Sequence, residues 1–187
     1  MGMALPVQHF TIDMLDDFPD DGTRYELLEG TLLVTPVPST EHQVIAARVV
    51  HLLMNALDGD RAVHVVAVGA IQRGENTQLQ PDILVFPASY PQTTHWRNIR
   101  DWWLAVEVMS PSSRIYDREV KRAAYLALGV EEYWLVDIRN RSVEIWKRGE
   151  TDSTLAVGTL TWRPTALGSD IVLDLQEVFG DIDSAGD

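Results

Sequence analysis

Two apolar runs of strand length, "LAVEVM" at 104–109 and "YWLVDI" at 133–138, bracket one helical stretch, "DREVKRAAYLALG". Strand, helix and strand at this spacing form a crossover, which joins parallel neighbours in one sheet and is right-handed. Val120, Ala124, Ala127 and Leu128 share one helical face, and Gly129 is placed to stop the helix. No other feature of the chain limits the fold as much, because both faces of such a pair need covering.

The remaining segments supply the cover. "TIDMLDDF" predicts a short helix and "DDFPDDG" a turn, and "YELLEGTLLVTP" predicts a strand pair turning at Glu29 and Gly30. Thr40 with Gln43 fits a capping box for the helix "STEHQVIAARVVHLLMNALDG", which should end at Gly59. "AVHVVAVGAI" and "LQPDILVFP" have strand length and are separated by the turn-rich "RGENTQ". "SVEIWKR" should pair antiparallel with 133–138 around "RNR", and the tail adds "STLAVGTLTW" and "DIVLDLQEVF". The predicted class is α/β: a mixed central sheet flanked by helices, with an N-terminal β-hairpin and additional C-terminal strands. No repeat, linker or low-complexity tract divides the 187 residues. One domain is expected over 1–187, its core at about 24–180 and its ends frayed.

Zero cysteines remove disulfides, thiolate chemistry and cysteine-ligated zinc. The chain has no apolar run of membrane-spanning length, and its first residues lack the basic flank of a secretory signal. A cytoplasmic protein without a membrane partner is the expectation. A net charge of -13 argues against a surface coated for nonspecific nucleic-acid binding. The charge is uneven, however: ten of the 15 basic residues lie between Arg97 and Arg148, with eight acids. That middle section can face an anion which the rest of the chain repels, although acidic ends that merely keep the protein soluble explain the same pattern.

Within the first apolar run stands Glu107. Alternation puts Leu104, Val106 and Val108 on one face and Ala105, Glu107 and Met109 on the other. Burying a lone carboxylate there costs on the order of several kcal/mol unless a cation, a metal or hydrogen bonds offset it. A second acid, Asp82, opens a strand whose next four residues, Ile83 to Phe86, are all apolar. The two acids converge if their strands are neighbours, and paired carboxylates suit a hard cation such as Mg2+.

In order and spacing, "QPD", "VEVMSPSS" and "YDREVKRAAYLALGVEEYW" resemble the PD-(D/E)XK nuclease superfamily, and within it the Uma-two family of restriction-endonuclease-like proteins. The resemblance runs from "YELLEG" to "VFGD". It implies a restriction-endonuclease-like sheet and a metal-dependent endonuclease that hydrolyses DNA phosphodiester bonds with Mg2+ or Mn2+. The superfamily pattern sets a lysine two residues after the second acid, and here that slot holds Met109. The Uma-two family is similar to this chain in carrying its lysine on the following helix, which points to Lys121. Only Lys121 and Lys147 are lysine among the 15 basic residues, so a compact ammonium at 121 stands out. A solvated helix charge paired with Asp117 would explain it equally.

The resemblance assigns metal binding to Asp82, Glu107 and the backbone carbonyl of Val108, with Lys121 as the catalytic cation. Glu26 and His42 match positions where family members carry polar residues, and are expected to orient water or extend the metal shell; a solvent-facing strand residue and a helix-cap residue are the plainer readings. Arg114, Arg118 and Arg122 surround Lys121 and are candidate phosphate contacts, or else ordinary helix charges. Tyr125, one turn after Lys121, can touch the site but reads first as packing, as do the strand tryptophans. His42 and His51 are half a turn out of phase and should not share a metal. By analogy with restriction enzymes that cut both strands, a homodimer through the hairpin near Ile138 to Trp146 is a further expectation. The rival reading is an inactive nuclease-fold module that binds DNA or a protein. Nucleotide-loop, nucleophile-elbow and zincin motifs are missing.

Overall fold

The computed structural model describes the backbone of residues 9–57, 62–109 and 116–180, and the side chains of all of these except 116–118. After a 3-10 turn at Ile12–Asp17, strands β1 (Arg24–Leu28) and β2 (Thr31–Thr35) lead into helix α1 (Thr40–Ala56). Four short strands follow: β3 (Val63–Ala67), β4 (Ile71–Arg73), β5 (Thr77–Leu79) and β6 (Ile83–Pro87). Strand β7 (Leu104–Val108), helix α2 (Arg122–Leu128) and strand β8 (Glu132–Asp137) make the crossover unit. Strands β9 (Ser142–Lys147), β10 (Thr154–Val157), β11 (Thr159–Trp162) and β12 (Ile171–Asp174) precede helix α3 (Leu175–Phe179). No described helix is long and apolar enough to cross a membrane.

The central sheet has six strands in the order β10-β9-β8-β7-β6-β3. It is mixed as predicted: β7 and β8 run parallel, and the other neighbours are antiparallel. A four-stranded sheet, β2-β1-β5-β4, packs on one side, and β11 with β12 forms a separate pair. In the N-terminal hairpin, Glu29 and Gly30 both adopt left-handed φ values of 50° and 81°, as a two-residue turn between twisted strands requires.

The alternation along β7 divides the core. Leu104, Val106 and Val108 join Ile45, Val49 and Leu53 of α1 together with Trp134 and Phe179. Ala105 joins Tyr125 of α2, Tyr133, Ile71 and Leu79, with Met109 packed at its margin. Trp102, Tyr133 and Trp134 are buried, so these aromatic side chains serve packing.

Several boundaries differ from the sequence reading. Ser39, rather than Thr40, caps α1, its hydroxyl accepting from the His42 N–H, and α1 ends at Ala56. Gly59 lies outside the described residues. The segments 62–71 and 79–87 each break and feed both sheets. The first breaks at Val68, with φ of 56°, and Gly69, where a Cβ would come within 2.7 Å of the Leu84 side chain. The second breaks at Pro81, which has no N–H for a ladder. The helix carrying Lys121 opens with a π-helical turn, Tyr116–Lys121, before α2. Strand β9 pairs on both sides, and beyond it the sheet ends at β10.

Candidate active site

The register that pairs Ile83 with Val106 sets Asp82 and Glu107 on the next rung of the same ladder. Their strands are neighbours, and alternation turns both acids away from the α1 core. Backbone and side chain of Asp82 are both fixed. Its carbonyl accepts from the Val68 N–H at 2.8 Å, so the left-handed residue that ends β3 anchors the main chain there. The Val108 N–H donates to Oδ2 at 2.8 Å and Arg24 Nη2 donates to Oδ1 at 2.9 Å. His42 Nε2, from the first turn of α1, lies 3.2 Å from Oδ2. Burial pushes the Asp82 carboxyl upward, but the His42 hydrogen bond, the Arg24 charge and the Val108 N–H outweigh it and hold the group at about 2. Asp82 is therefore ionised at neutral pH although only 4% exposed.

Glu107, 3% exposed, is met from the helical side. Its Oε1 accepts from Lys121 Nζ at 3.1 Å and from the Tyr125 hydroxyl at 2.7 Å. One helical turn separates Lys121 from Tyr125, which puts both on the face turned to β7. Lys121 Nζ also lies 2.7 Å from Glu26 Oε2, so one buried ammonium serves two carboxylates. The other oxygen of Glu26 accepts from the Gln80 N–H at 2.7 Å. Burial, followed by the Glu107 and Glu26 charges, pushes the Tyr125 hydroxyl well above its usual value of 10, so it stays a donor.

Glu26, His42, Asp82, Glu107 and Lys121, drawn from β1, α1, the start of β6, β7 and the turn before α2, thus form one buried cluster. Two further residues join it, one weighed as a neighbour of the site and one missed. Tyr125, read as packing, is a hydrogen-bond partner of Glu107. Arg24 was missed, although β1 alternation puts it on the face of Glu26, two residues on. Its Nη1 donates to the Gln80 carbonyl at 2.9 Å, and its guanidinium feels the charges of Asp82, Glu107 and Glu26. Met109, in the superfamily's lysine slot, is partly buried against apolar neighbours. Of the arginines proposed for phosphate, Arg114 lies outside the described residues and only the backbone of Arg118 is described. Arg122 stacks 4.0 Å above the Trp146 ring, in a surface pocket that Glu119, Glu144 and Asp152 also line.

A family model described as "Uma2: Putative restriction endonuclease" matches residues 12–176. The chain belongs to the Uma-two family. No match is found among curated proteins. Among solved structures, the chain is similar to the "Crystal structure of a putative nuclease belonging to DUF820 from Anabaena variabilis ATCC 29413 at 1.96 A resolution". The TM-score is 0.74 at 17% identity, over 91% of this chain and 98% of that one. At that identity the likeness speaks for the fold, which is the restriction-endonuclease-like sheet of the Uma-two family.

Whether such a site suits a divalent ion depends on its donors. Among the described residues, no group of three or more His, Asp or Glu side chains is spaced to hold a metal. Mg2+ rarely needs one: it takes one or two carboxylates, keeps several waters and shares substrate phosphates. Asp82, held ionised, and Glu107 on the adjacent strand supply two hard carboxylates. The Val108 N–H points at Asp82, and an extended strand directs the carbonyl of a residue to the same edge. The donor set fits a largely hydrated ion rather than a full protein cage.

Proposed function

We propose that this Uma-two protein is a metal-dependent nuclease that hydrolyses DNA phosphodiester bonds. The observation that carries the reading is the delivery of Lys121, from the helix after β7, to the Glu107 carboxylate beside Asp82, while Met109 occupies the superfamily's lysine slot. Asp82, Glu107 and the Val108 carbonyl would hold Mg2+ or Mn2+. When bound, the ion supplies Lewis-acid polarisation of a phosphoryl oxygen and lowers the pKa of water. Lys121 neutralises charge developing on the phosphate or orients the attacking water. Glu26 keeps its ammonium in place, and Tyr125 fixes the Glu107 carboxylate. His42 steadies Asp82 from α1.

Cleavage of supercoiled plasmid and of single-stranded DNA with Mg2+, Mn2+ or EDTA tests this. Wild type is expected to cut only with metal, and Asp82→Asn and Lys121→Gln, shown folded by circular dichroism, to cut at least about a hundredfold more slowly. One observation favours a second reading: the site acids are already matched by the chain's own cations, as in a module that binds DNA or a protein without cutting. A folded wild type that cuts no substrate with either metal would give that reading precedence.

A further inference from the structure

We propose that Arg24 exchanges with a divalent ion at Asp82: its guanidinium, which holds Oδ1, gives way to the ion and then binds a phosphate of the substrate. The inference rests on the nuclease reading above. Asp82 has little room for a metal. Its Oδ2 takes the Val108 N–H and lies 3.2 Å from His42 Nε2, while Oδ1 takes Arg24 at 2.9 Å. A metal–oxygen bond to Mg2+ is about 2.1 Å long, so an ion on Oδ1 would stand against a guanidinium on the same oxygen. Of the groups on Asp82, the Val108 amide belongs to the sheet and His42 to the capped first turn of α1. Of the two side chains on Asp82, Arg24 is the longer and the more exposed.

It is also the one with somewhere to go. Its side chain is 14% exposed, against 4% for Lys121 and 10% for His42, and it enters at the first residue of β1, next to the exposed segment 19–22. Of the five N–H donors of a guanidinium, two are engaged, with Asp82 and with the Gln80 carbonyl. A planar fork with spare donors matches a phosphate. Lys121, buried between Glu26 and Glu107, has no such freedom of approach.

The test compares wild type with Arg24→Met, and with Arg24→Gln, which keeps a hydrogen-bond donor should the methionine variant fail to fold. Mn2+ affinity is measured calorimetrically, and binding of a labelled DNA duplex is measured at saturating Ca2+, with Asp82→Asn as the control for metal at this site. The expected result is Mn2+ binding about tenfold tighter in the Arg24 variants, because a competing cation is gone, together with duplex binding about tenfold weaker. A residue that only braces Asp82 would do the opposite to the metal. Mn2+ affinity unchanged or weakened, with wild-type binding lost in Asp82→Asn, would overturn the exchange and leave the metal site standing. Tighter Mn2+ with unchanged duplex affinity would overturn the phosphate role. No Mn2+ binding by wild type would overturn this proposal and the metal-dependent reading together.

Discussion

Asp82 and Glu132 are buried carboxylates two strands apart in one sheet, 4% and 5% exposed, and their environments drive them in opposite directions. Glu132 has burial against it, and the Trp134 indole N–H at 2.7 Å and the more distant Lys147 charge do not compensate, so its carboxyl is pushed up. Asp82 meets the same desolvation but draws donors from β1, α1 and β7, and is pulled down to about 2. Burial alone disfavours the charged form of an acid; convergence of several elements restores it. Glu132 is satisfied by a neighbour two residues away, whereas the cluster around Asp82 and Glu107 exists only because distant segments meet.

The largest test of that contrast is Lys121→Met. It removes the ammonium shared by Glu26 and Glu107, and breaking a buried ion pair from one side costs about 3–5 kcal/mol. Chemical denaturation is expected to show a loss of that size. The corresponding change beside Glu132 is Lys147→Met, at the cross-strand position from Glu132 and exposed. Its expected effect is below about 1 kcal/mol. Equal losses would erase the distinction between the two regions.

The contrast also marks how far the sequence could be read. Alternation in 104–109 placed Glu107 opposite the α1 core, and the crossover spacing predicted the parallel β7–β8 pair, because both depend on local periodicity. The convergence of Asp82 with Glu107 needed only that β6 and β7 be neighbours. Arg24 was harder, since its role depends on β1 lying against β5 so that its side chain reaches the backbone at Gln80, a contact between residues 56 positions apart. The break at Val68 escaped for a related reason: its segment is apolar throughout, and only the tight approach of Gly69 to Leu84 shows why the chain must turn, whereas the break at Pro81 agrees with Asp82 opening a strand.

Acid titration gives a smaller effect with a definite sign. Because the folded-state value of Asp82 is depressed from 3.8 to about 2, its contribution is fully present above pH 3.8 and is lost as pH falls through about 2. The shift corresponds to about 2 kcal/mol. The stability difference between wild type and Asp82→Asn should therefore shrink by about that amount between pH 4 and pH 2. A difference that stays constant across this window would mean that Asp82 is held by shape rather than by charge, and would bring it closer to Glu132.

The smallest effect is expected at Glu132 itself, with the opposite sign. Its folded-state value is raised above 4.5, so the folded protein binds a proton more readily than the unfolded chain, and stability falls as pH rises from 4.5 through the raised value. Glu132→Gln keeps an oxygen to accept from the Trp134 indole while removing a charge that burial penalises. Its melting temperature should rise slightly at pH 7 relative to wild type, and the gain should vanish below pH 4.5. The same kind of change at Asp82 lowers stability at pH 7. Two isosteric neutralisations, at equally buried acids in one sheet, should thus move the protein in opposite directions. If Glu132→Gln also destabilises at pH 7, the Glu132 charge has a partner beyond Trp134 that matters, and the supply of partners would no longer separate the two acids.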